Sequence, residues 1–117
     1  MDVYAKLQIK PGDQVAVIAA GADAPVVEGV DIVRSPRDAD VVVAFVLTTG
    51  DLATVAAPAV EAARQDKLAW IAYPKARQLG TDLSRDVLAK SVAGQGIRPV
   101  RQVAIDDVWS ALRFRPA

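Results

Sequence analysis

The chain has 117 residues, a hydrophobic fraction of 52% and 14 basic against 14 acidic side chains, for a formal net charge of zero. Such a make-up suits one folded domain with a single core, and its charge balance gives no electrostatic footing for non-specific binding to nucleic acid. Histidine and cysteine are both absent, which excludes disulfides, thiol chemistry and the Ser-His-Asp and Cys-His catalytic arrangements.

In chain order, Asp2 to Ile9 reads as a short lead-in helix or irregular arm. Pro11-Gly12-Asp13 makes a turn, because proline presets one dihedral and glycine permits positive φ. Val15 to Ala20 is a compact apolar run, read as a buried strand. The stretch VAVIAAGA has the size of a signal-peptide core, but the turn and mixed charges before it favour the strand. No apolar run reaches the roughly 20 residues of a membrane-spanning helix, so a soluble, cytoplasmic protein that does not engage membranes is expected.

Gly21 to Gly29 reads as a loop, Val30 to Arg34 as a short peripheral strand, and Ser35 to Asp38 as a turn. Val41 to Leu47 is apolar on both faces, as in the centre of a parallel sheet. Thr48-Thr49-Gly50-Asp51 supplies capping residues. Leu52, Val55, Ala56, Ala59, Val60 and Ala63 follow at helical spacing, with Pro58 predicting a kink or a second helix starting near Ala57. Leu68 to Tyr73 is a further buried strand. Asp82 to Gln95 reads as a helix with Leu83, Val87, Leu88 and Val92 inward, Asp82 at its cap, and Gly94 and Gly96 as its stop. Ile97 to Ile105 and Trp109 to Phe114 close the chain as an antiparallel hairpin, since two residues cannot carry a parallel crossover.

These elements predict a single α/β domain over residues 1–117, a three-layer, Rossmann-like, mostly parallel sheet ending in an antiparallel hairpin. The order of elements, with IKPGDQVAVI (Ile9 to Ile18) feeding the first strand, resembles class I S-adenosylmethionine-dependent methyltransferases. AYPKAR (Ala72 to Arg77), TDLSRDVL (Thr81 to Leu88) and DDVWSALRF (Asp106 to Phe114) resemble, more closely, a bacterial family of small, truncated methyltransferase-like domains of unknown function. The resemblance implies a cofactor loop at Gly21 and Asp23 and a ribose-binding acid at Asp31. Yet that loop holds one glycine among alanines, and Cβ atoms stand where close backbone approach to a cofactor is required. No Asn-Pro-Pro-aromatic motif follows the central strand. The expectation is a degenerate site that binds no cofactor, S-adenosylmethionine included.

Ligands of open parallel sheets sit outside the carboxyl ends of the strands. That rule gathers Thr48, Thr49, Gly50, Lys75, Arg77, Asp106 and Trp109 as candidates for a small phosphate or carboxylate site. The alternative is structural: threonines as caps, Lys75 paired with Asp106 or Asp107, Arg77 solvated and the Trp109 ring packed on the sheet. The leading expectation is a non-catalytic interaction or regulatory module. A ligand-binding protein or enzyme at that edge is the second reading, an active methyltransferase the third, and a homodimer through an exposed sheet edge is a further expectation.

Overall fold

In a computed structural model, residues 3–10, 12–20, 31–32, 35–75 and 78–117 are described. The elements are α1 (Val3–Lys6), β1 (Gln14–Ala19), β2 (Asp31–Ile32), β3 (Val41–Phe45), α2 (Ala57–Arg64), β4 (Leu68–Pro74), α3 (Arg85–Val92), β5 (Ile97–Ala104) and β6 (Trp109–Pro116). The strands form one mixed sheet in the order β2-β1-β3-β4-β6-β5. β2, β1, β3 and β4 pair in parallel, and β6 runs antiparallel to both β4 and β5. The α/β class, the parallel centre, the peripheral β2 and the closing hairpin therefore agree with the sequence.

The apolar runs became strands because both sheet faces need covering. On one face Val42, Ala44, Ile71 and Leu112 pack with Ala59, Val60 and Ala63 of α2 and with Leu88 and Val92 of α3. On the other, Val41, Val43, Phe45 and Trp70 pack with Leu7 and Ile9 of the N-terminal arm and with Ile105 and Trp109 of the hairpin. The sequence led us to expect helices on both faces. Among the described residues, α2 and α3 instead share one face. The crossovers β3–α2–β4 and β4–α3–β5 step the same way across the sheet, and the right-handed rule then sends both helices to the same side. The loop expected at Gly21 to Gly29 lies outside the described residues.

Pro58 breaks the apolar helical pattern as expected. Thr49–Asp51 is a short 3-10 turn, and α2 starts at Ala57 with the proline in its first turn, where a missing N–H costs nothing. α3 is shorter than its pattern suggested. Ser84 Oγ accepts the Val87 N–H at 3.2 Å, and the chain leaves the helix at Ala93 before Gly94 at φ +87°. Val87, expected inward, is 38% exposed, because Leu88 and Val92, four residues apart, define the buried stripe. Among the described residues no helix is long and apolar enough to cross a membrane.

Trp70 ties the arm to the sheet. It is fully buried, and its indole N–H donates to the Leu7 carbonyl at 2.9 Å. Trp70→Phe leaves that carbonyl without its donor, so it should lower unfolding stability by about 1–3 kcal/mol in chemical denaturation, with the far-UV circular dichroism unchanged.

Candidate functional site

The candidate site begins where the buried strand β3 ends. Val46 N–H still continues the ladder, donating to the Ala72 carbonyl at 2.9 Å. Beyond it the amides need other acceptors. Leu47 and Thr48 both give their N–H to Asp51 Oδ2, at 2.8 and 3.1 Å. Thr49 gives its N–H to Asp82 Oδ1 at 2.9 Å and its hydroxyl to Asp82 Oδ2 at 2.8 Å. Thr81 Oγ1 donates to the Leu47 carbonyl and accepts the Leu83 N–H. The Asp82 carboxylate and the Thr81 hydroxyl thus sew the segment before α3 to the segment after β3, whose own turn Asp51 holds.

Those carboxylates occupy the donors an incoming phosphate or carboxylate would use. Asp82 was expected as the cap of the helix that follows it; Ser84 takes that role instead, and Asp82 serves the turn after β3. The hydrogen bonds from the Thr49 hydroxyl, and then its backbone N–H, hold the Asp82 carboxyl below the usual aspartate range. Gly50 has no positive φ, and a Cβ there would meet Thr48 Oγ1 at 3.5 Å, an ordinary contact. The turn does not demand a glycine.

The hairpin arrives at the same edge, as anticipated. Trp109 lies opposite Pro74 in register, and Lys75 N–H donates to the Val108 carbonyl at 2.6 Å. Asp106 Oδ1 accepts the N–H groups of Val108 and Trp109 at 2.8 and 2.7 Å, so it organises the turn itself. Lys75 forms no ion pair with Asp106 or Asp107 among the described residues. The Trp109 ring is buried and meets Phe45 edge-to-face, with centroids 5.3 Å apart and planes at 86°. It is a packing residue rather than a platform for a ring-shaped ligand. Gly21, Asp23 and Arg77 lie outside the described residues; Asp31 is placed in β2 opposite Gln14.

Two cavities open at the other end of the sheet, where the sequence suggested nothing. One, of about 580 Å³, is bounded by Arg37, Glu61, Gln65 and Lys67. The second, of about 400 Å³, is bounded by Gln8, Lys10, Asp13, Asp40 and Arg113. In the first, Glu61 is engaged by Arg64 Nη1 at 2.9 Å and by Gln65 at 3.1 Å. These bonds hold its carboxyl below the ordinary glutamate range, the Arg64 bond contributing most. In the second, Asp13 and Asp40 accept the backbone N–H groups of Lys10 and Gln14 at 2.9 and 3.0 Å. Compared with known proteins, the chain matches no protein-family model and no curated protein.

Two outcomes test the stitched edge. Asp51→Ala should cost about 1–3 kcal/mol, because it strips two amides of their acceptor, whereas Gly50→Ala should stay within about 0.5 kcal/mol of the parent; denaturant titration reads both. The second outcome concerns pH. With the Asp82 pKa lowered on folding, its stabilisation is fully present above the ordinary aspartate value and is lost as pH falls through the lower, folded value. Asp82→Asn should therefore flatten the acid side of a plot of thermal midpoint against pH. The slope owed to Asp66, whose carboxyl Arg115 holds low, should remain.

Proposed function

We propose that this chain is a non-catalytic α/β interaction or regulatory module, a degenerate relative in form of the truncated class I methyltransferase-like domains. The observation that carries this reading is the use of Asp51 and Asp82 as internal acceptors for the amides after β3. Sheets of this kind bind ligands by offering free N–H groups at that edge; in this chain the N–H groups of Leu47, Thr48 and Thr49 are taken. Asp106 does the same for the hairpin amides, and the Trp109 ring is committed to Phe45.

A carboxylate beside those amides also opposes an anion electrostatically. A phosphate or carboxylate ligand would have to displace Asp51 or Asp82 from the amides that each already holds. Adenosyl recognition fares no better, because the single glycine of the cofactor loop stands among alanines.

Isothermal calorimetry against S-adenosylmethionine, S-adenosylhomocysteine and inorganic phosphate tests the reading. No saturable heat is expected for any of the three. Stoichiometric binding of either adenosyl compound in the micromolar range would overturn it.

A further inference from the structure

The hairpin carries four arginines whose arrangement the fold does not require. Arg98 lies directly opposite Arg115, and Arg101 directly opposite Arg113. In a regular strand, residues three apart point to opposite faces. The irregularity between Pro99 and Arg101 adds a residue to β5 and brings Arg98 and Arg101 to the same face. On β6, Leu112 and Phe114 point to the helix-covered face, so Arg113 and Arg115 point to the other. All four cations therefore stand on the sheet face away from α2 and α3.

Like charges directly opposite on neighbouring strands are destabilising. The neutralisation available is partial. Arg115 is held by Asp66 through two bonds, at 3.0 and 3.2 Å, and Arg113 by the neutral Gln8 at 3.1 Å. Arg113 also keeps its Nε buried without a partner. Among the described residues, the exposed side chains of Arg98 and Arg101 make no hydrogen bond or ion pair. A chain of zero net charge thus concentrates repelling cations on two adjacent rungs of an edge hairpin.

We infer that this arginine face docks an extended acidic segment of a partner protein, with carboxylates on alternate residues. Acids two positions apart in an extended chain recur about 7 Å apart, as do Arg113 and Arg115 along β6. Each carboxylate then meets one arginine rung, and the guanidinium fork suits carboxylate in a two-bond geometry. Binding relieves the repulsion between the paired arginines, so the charge gain is larger than for isolated cations. Three alternatives fit less well. Both tryptophans and both phenylalanines are buried, which leaves those rings unavailable for base stacking on single-stranded nucleic acid. A membrane surface would call for apolar anchors beside the charges, and the exposed large apolar residue of β5 is the single Val100. A second copy of β5 would bring arginines against arginines across a strand edge that Pro99 and the bulge already blunt.

This inference rests on the interaction-module reading and names the partner chemistry of that module. Its test is fluorescence anisotropy with a labelled peptide of roughly ten residues alternating glutamate and threonine, an extended-strand ligand. Saturable binding that weakens with added salt is expected. Arg98→Ser with Arg101→Ser should weaken it about tenfold or more, with the thermal midpoint no lower than the parent's, because the substitutions remove the repulsion between facing arginines. A peptide of equal composition with its glutamates in one block should bind several-fold more weakly. No saturable binding, or equal binding to the double variant, would overturn the inference. So would tighter binding to single-stranded DNA, duplex DNA or anionic phospholipid vesicles, or peptide-independent dimerisation through this face in sedimentation. None of these outcomes bears on the calorimetry with adenosyl compounds, so the two readings fail separately.

Discussion

A backbone N–H that emerges from a buried strand has to find an acceptor, since leaving it bare costs as much as a lost hydrogen bond or more. At the end of β3 three successive amides face that requirement. Leu47 and Thr48 take the carboxylate of Asp51, four and three residues ahead, and Thr49 takes that of Asp82, thirty-three residues ahead. The first pair shapes the turn that leads toward α2. The Asp82 bond fixes where the chain enters α3, because Thr81 and Leu83 are drawn into the same knot. α3 packs with α2 on one face of the sheet, and the arm and the hairpin cover the other. A single demand for acceptors thereby orders one edge of the sheet.

A second surface lies on the closing hairpin. The hairpin β5–β6 is well anchored on its helix-covered side by Ile97, Leu112 and Phe114, all buried. That anchorage lets the opposite side carry arginines that repel one another without melting the ribbon. Local choices that oppose stability mark the places where a sequence answers to something besides its own fold. The bulge at Pro99 belongs to the same account: it blunts an exposed edge and, by resetting the alternation, puts Arg98 on the same face as Arg101.

Much of the fold was legible because it depends on nearest neighbours. The buried runs of β1, β3 and β4, the break at Pro58 and the antiparallel return over Asp106-Asp107 all follow from local composition and short connections. What could not be read depends on distance. Both helices share a face because of the direction in which each crossover steps, which only the strand order decides. Asp82 looked like the cap of its own helix because its partner Thr49 is remote in sequence, and Ser84, nearer the helix, was free to cap. The arginine face was hidden for a sharper reason: Arg98 and Arg101 are an odd number of residues apart, so a regular alternation separates them. Of the candidate residues, Thr48 and Thr49 do stand at the proposed edge, yet with their amides already spoken for by acids of the same chain. The capping signal in Thr48-Thr49-Gly50-Asp51 was visible; its second acceptor was not.

The most direct measurement is nuclear magnetic resonance of the ¹⁵N-labelled protein across an acid titration, following the Thr49 amide alongside the Asp82 carboxyl carbon. If Asp82 holds that amide, the two signals shift together, with one shared midpoint below the ordinary aspartate value. A Thr49 amide that stays still while Asp82 titrates, or an Asp82 midpoint at the ordinary value, would contradict the account.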